Sequence, residues 1–130
     1  MTARGMGANY QGMNWIRPEK RLAIYLRDGL ACVWCGAGVE DGDVTLTLDH
    51  LLPYIQGGRA DGKNLVTACR RCNSSRGTRA PEVFAAAVAE YLDHGVAAAD
   101  ILQHVLETVQ RPLDVAAAKG IIAQRRSPRL

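Results

Sequence analysis

The sequence predicts a small α+β domain in which a compact, cysteine-stapled core precedes a helical extension. Three observations carry that reading. Two CxxC knuckles, Cys32–Cys35 and Cys69–Cys72, use all 4 cysteines of the 130-residue chain. Val44 to Leu48 alternates apolar and polar residues with the period of a strand. Beyond Pro81, apolar residues recur at helical spacing. The length suits a single domain. Of the 48% hydrophobic residues, however, 19 are alanine and only 7 are aromatic. Large apolar side chains are therefore scarce, and something besides burial is expected to hold part of the fold.

Taken in chain order, residues 1–14 (Gly-, Asn- and Met-rich, without periodicity) read as a flexible arm. A helix is expected over about 17–28, because Pro18 suits a first turn, Leu22, Tyr25 and Leu26 share a face, and Gly29 can cap it. The first knuckle follows, then an Asp41-Gly42-Asp43 turn, the strand at 44–48, and an irregular stretch containing Pro53 and Gly57-Gly58. Leu65-Val66-Thr67 reads as a second extended segment that leads into the second knuckle. Asn73 to Gly77 can form a short helix. One stripe of Val83, Phe84, Ala87, Val88, Tyr91 and Leu92 ends at Gly95, and a second of Ile101, Leu102, Val105, Leu106 and Val109 ends before Pro112. A weaker third helix covers 113–124. The organisation expected is an arm over 1–14, a core over 15–80 and a helical extension over 81–130 packed on that core.

No run approaches the roughly 18 apolar residues of a membrane span, and the first residues lack the apolar segment of an export signal. A cytoplasmic protein is expected. With 22% charged residues and a net charge of +3, the chain has ample apolar content to fold. Four thiolates from two CxxC knuckles can converge tetrahedrally on zinc. A disulfide framework is disfavoured in a reducing compartment, and a redox CxxC leaves the second copy unexplained. Four sulfur ligands close the coordination sphere, so this Zn2+ is expected to be structural.

Charge is segregated along the chain. From Arg59 to Arg79 stand Arg59, Lys63, Arg70, Arg71, Arg76 and Arg79 against Asp61 alone. From 81 to 114 the balance is acidic. A basic cluster beside special chemistry suggests a polyanionic partner.

Cys32-x-x-Cys35, Asp49-His50-x-x-Pro53, Gly57-Gly58, Asn64-Leu65 and Cys69-x-x-Cys72-Asn73-x-x-Arg76-Gly77, in that order, resemble the HNH endonucleases with their zinc-stapled ββα-metal (treble-clef-like) core. The last motif position is Asn73 rather than His, the His-Asn-Asn variant. That makes the reactive metal site oxygen-rich and suited to Mg2+ or Mn2+.

The resemblance implies metal-dependent hydrolysis of DNA phosphodiesters, the DNA read as double-stranded. His50, which titrates near neutrality, would be the general base. Asn64 would hold His50. Asp49 and Asn73 would ligate one divalent cation, provided that strand alternation breaks at the strand end and brings Asp49 to the same side as His50. The six basic residues would contact the DNA backbone, which positions a duplex without reading bases. The competing expectation is a non-catalytic zinc module that binds nucleic acid or protein. His94 and His104 read as structural, and Trp34 as packing beside the zinc site. The alanine-rich helices read as packing on the core, with recruitment of a protein partner as the alternative.

Overall fold

The computed structural model describes residues 16–92 and 95–126. The expected arm over 1–14, Trp15 and His94 lie outside these. In chain order the elements are α1 (Pro18–Arg27), a 3-10 turn (Val39–Asp41), β1 (Leu46–His50), a second 3-10 turn (Tyr54–Gln56), β2 (Leu65–Cys69), α2 (Arg70–Arg76), α3 (Pro81–Leu92), α4 (Ala98–Gln110) and α5 (Val115–Arg126). The mixed α+β class is as the sequence predicts.

β1 and β2 form a two-stranded antiparallel sheet with Leu46 opposite Cys69, Asp49 opposite Val66 and His50 opposite Leu65. The first strand thus runs two residues further than the alternation of 44–48 predicts. Its limits are set by what β2 can pair with, and the backbone of Arg70, just past β2, still donates to the Thr45 carbonyl. Every residue of β2 is buried, because both of its faces are covered. Val66 and Ala68 join Phe84, Val88, Ile101, Val105 and Val109 of the helices in one apolar cluster, together with Trp34 and the knuckle cysteines. Leu65 turns the other way, into a smaller cluster with Ile16, Ile24 and Leu48 beneath α1.

Polar ties fix α1 on this second face. Arg27 donates to the carbonyls of Gly62 and Leu65 at 2.7 and 2.6 Å and pairs with Asp28, and Asp28 Oδ2 accepts from the backbone N–H of Thr67 at 2.7 Å. The helix starts at Pro18, whose missing N–H costs nothing in the first turn. Gly29, with φ of +78°, turns the chain out of it.

The short helix after the second knuckle begins at Arg70, three residues before the start predicted. Cys69 is its N-cap, the thiol sulfur accepting from the N–H of Cys72, so the helix starts directly behind the first cysteine of the second knuckle. α3 packs on α4, and α5 packs on α1. α5 runs through Gly120, where a Cβ would meet open space. No helix among the described residues is long and apolar enough to cross a membrane.

Candidate metal centre and active site

All four cysteine sulfurs lie within 4.8 Å of one another, and Cys35 Sγ and Cys69 Sγ are 3.8 Å apart. Four sulfurs each about 2.3 Å from a central ion stand about 3.8 Å from each other, so the spacing is that of a tetrathiolate zinc site. No cysteine is disulfide-bonded. Crowding sets the thiols against one another. Hydrogen bonding with Cys32 and Cys72 pushes Cys35 down, and Cys32 and Cys72 are pushed up in return. A bound dication removes that conflict. Cys32, Cys35, Cys69 and Cys72 are thus positioned to hold one metal ion, with zinc the ion their chemistry favours.

Trp34 stands inside the first knuckle and is buried against Phe84 in an edge-on contact, with centroids 5.1 Å apart. Its indole N–H donates to Asp49 Oδ2 at 2.9 Å. Arg76 approaches the same carboxylate from α2 and donates to Oδ1 at 2.8 Å. The guanidinium also donates to the carbonyls of His50, Leu51 and Arg79, and it lies 5.5 Å from the Trp34 ring centroid. Asp49 and Arg76 are both fully buried. Burial pushes the Asp49 carboxyl above its ordinary range, and the bonds from Arg76 and Trp34 oppose this.

Arg76 reads in the sequence as a phosphate-contacting residue, yet it is 1% exposed. Its charge is spent on Asp49 and its donors on backbone carbonyls, so it presents nothing to a ligand. Arg59, Lys63, Arg70, Arg71 and Arg79 are exposed. Arg71 and Arg79 are braced over the rings of Tyr91 and Phe84, at 4.6 and 5.1 Å.

β1 remains a strand through His50. Its register sets Asp49 opposite Val66 and His50 opposite Leu65, and successive strand residues face opposite sides. The break in alternation that would align the two side chains does not occur. Asp49 and His50 share the end of a strand, not a face. His50 is fully buried, and burial, reinforced by the charge of Arg76, lowers its imidazole from 6.5 to about 4. The ring is therefore neutral at physiological pH, the form a base requires.

Asn64 does not hold the ring of His50. Its side chain accepts from Leu52 N–H at 2.8 Å and donates to the carbonyls of Leu52 and Arg59, and its own carbonyl accepts from Leu51 N–H. It clamps the loop that leaves His50. Asn73, half-buried on α2, donates through Nδ2 to Thr47 Oγ1 and to the Leu48 carbonyl, both at 2.9 Å. Because Nδ2 is anchored to the strand, Oδ1 is turned away from those two acceptors. α2 thus reaches β1 twice, through Asn73 near its middle and Arg76 at its end.

A hard divalent cation takes oxygen ligands. Asn73 Oδ1 and the Asp49 carboxylate match that chemistry and come from neighbouring elements. In this arrangement, however, the positive charge beside Asp49 is the guanidinium of Arg76. Sequence reasoning missed two partners, Trp34 as donor to Asp49 and Thr47 as acceptor from Asn73. The only signal for Trp34 was its place between two zinc ligands.

Residues 32–88 match the family model described as HNH endonuclease. No curated protein and no solved structure matches the chain. The matched segment spans the first knuckle, both strands, α2 and most of α3, and it includes every residue of the cysteine cluster and of the Trp34–Asp49–Arg76 contact. Over residues 32–88, the chain is similar to the HNH endonucleases.

Proposed function

We propose that this protein is a divalent-cation-dependent endonuclease that hydrolyses phosphodiester bonds of double-stranded DNA. The observation that supports the reading is the meeting of α2 with β1, the strand that ends in Asp49 and His50: Asn73 donates to the Leu48 carbonyl and Arg76 to Asp49 and the His50 carbonyl, all within the segment that matches the family model. His50, neutral at physiological pH, takes a proton from the attacking water. Asp49 and Asn73 would hold Mg2+ or Mn2+, which supplies positive charge for the phosphate and the leaving oxygen. Arg59, Lys63, Arg70, Arg71 and Arg79 contact the DNA backbone and position the duplex. Since His50 is fully buried, a phosphate reaches it only after the atoms that cover it part.

That burial, together with the pairing of Asp49 and Arg76, favours a second reading: a zinc module that binds nucleic acid or protein without cutting. Nicking of supercoiled plasmid by the zinc-loaded chain separates the two. Cleavage that needs Mg2+ or Mn2+, stops with chelator and is lost in His50→Ala supports the nuclease. Intact plasmid under all divalent metals, with His50→Ala indistinguishable from wild type, supports the module.

A further inference from the structure

We infer that Trp34 and Arg76 are positioning residues, through which the knuckle and α2 together set the reacting end of β1. The inference rests on the nuclease reading. Trp34 lies between Cys32 and Cys35 of the cysteine cluster, so a metal held there would fix the backbone that carries it. Its indole N–H holds Asp49 Oδ2, and Arg76 holds Oδ1. Arg76 then crosses the strand end and takes the carbonyls of His50 and Leu51, at 2.9 and 2.5 Å. One guanidinium therefore fixes three consecutive residues, one by its side chain and two by their backbone. The ring of Trp34 beneath it completes the cage.

This arrangement determines the plane of the Asp49 carboxylate and the backbone that carries the His50 imidazole. Outer partners that orient a ligating or reacting group commonly change metal affinity or activity by about 10–100-fold when removed. The residues here suit that task. The donor on Asp49 Oδ2 comes from a rigid indole, and the fork of Arg76 is planar and pre-organised. Neither residue is exposed, so neither acts by touching DNA.

The test compares Trp34→Phe and Arg76→Lys with wild type in the full zinc-loaded chain, well below the melting temperature of each. Trp34→Phe keeps an aromatic side chain and removes the N–H together with part of the indole; it decides the matter if Arg76→Lys fails to fold. With Mn2+ and plasmid, kcat is expected to fall about tenfold while KM for DNA stays within about twofold. Calorimetric Mn2+ affinity of Trp34→Phe is expected to fall by a similar factor, with zinc content unchanged. A variant that melts lower yet keeps wild-type kcat and Mn2+ affinity would reduce the cage to packing and overturn the inference. If wild type neither cleaves nor binds Mn2+, the nuclease reading fails by itself. Positioning is then read from the His50 imidazole resonances. Ring signals moved by Trp34→Phe uphold it, and unmoved ones overturn it.

Discussion

Arg76 and Asp49 form a fully buried ion pair, 2.8 Å between Nη1 and Oδ1, that joins the end of α2 to the end of β1. Such a pair gains little over a well-packed apolar equivalent, but breaking it from one side strands a charge in the interior. Arg76→Ala also leaves three backbone carbonyls without this donor. We expect Arg76→Ala to lose about 3–5 kcal/mol of stability, measured by urea unfolding of the zinc-loaded protein. An exposed phosphate-contacting arginine would lose no more than about 0.5 kcal/mol.

The contrast shows which parts of the site the sequence discloses. The two knuckles declare themselves, because thiolate spacing is a local property and the metal supplies the long-range partner. The strand ending in Asp49-His50 is visible in its alternation, but its limits depend on where β2 stops pairing. The fate of Arg76 is not local at all. A guanidinium beside Asn73 and Gly77 reads as a surface charge until Trp34 arrives from one knuckle and Asp49 from the strand to enclose it. Asn64 is similar: its place before β2 is legible, whereas its choice of Leu52 and Arg59 over the His50 ring follows from how the intervening loop folds back.

Zinc is expected to stabilise the fold outright. Cys69 is at once a member of the cysteine cluster positioned to hold a metal, the last residue of β2 and the N-cap of α2. Cys69→Ser should lose zinc and cooperative unfolding together, because ligation energy is folding energy in sites of this kind. Metal content by atomic spectroscopy and a thermal melt check this. A mutant that melts like wild type with no zinc bound would refute the staple.

His50 makes a prediction with a definite sign. Burial first, and Arg76 second, lower its imidazole from 6.5 to about 4. Between those values the unfolded chain binds a proton that the folded chain refuses. Stability from this group is therefore intact above pH 6.5 and lost as pH falls toward 4. Asp49, pushed upward by burial, works in the opposite sense at the acid end. Melting temperature should fall from pH 7 to pH 5 more steeply in wild type than in His50→Gln, with zinc retention verified at each pH. Equal slopes would show that the ring is not buried in its neutral form.

Thr108 carries a different kind of cost. It is buried in α4, and its hydroxyl has no hydrogen-bond partner among the described residues. A buried hydroxyl of this kind costs about 1–3 kcal/mol. Thr108→Val keeps the shape and removes that group, so it should raise stability by about 1 kcal/mol, read as a shift in urea midpoint. A destabilised Thr108→Val would mean that the hydroxyl is satisfied in solution.

The loop leaving His50 is held by backbone proximity as well as by Asn64. Gly58 is buried, and its N–H donates to the Pro53 carbonyl at 2.9 Å. A Cβ on Gly58 would land on the Leu52 carbonyl oxygen and come within 2.9 Å of the Pro53 oxygen. Both obstacles are backbone, so the loop itself must open. Gly57, beside it, has φ of +94° but nothing within 4 Å of a Cβ, so alanine there carries only conformational strain of about 1–2 kcal/mol. Gly58→Ala should therefore cost more than Gly57→Ala and speed hydrogen exchange at the amides of Leu51 and Leu52, which Asn64 holds. Because those amides follow His50 directly, nicking should fall with the exchange protection in Gly58→Ala and survive in Gly57→Ala. The reverse order would show that left-handed backbone at Gly57, and not the close approach at Gly58, shapes the loop.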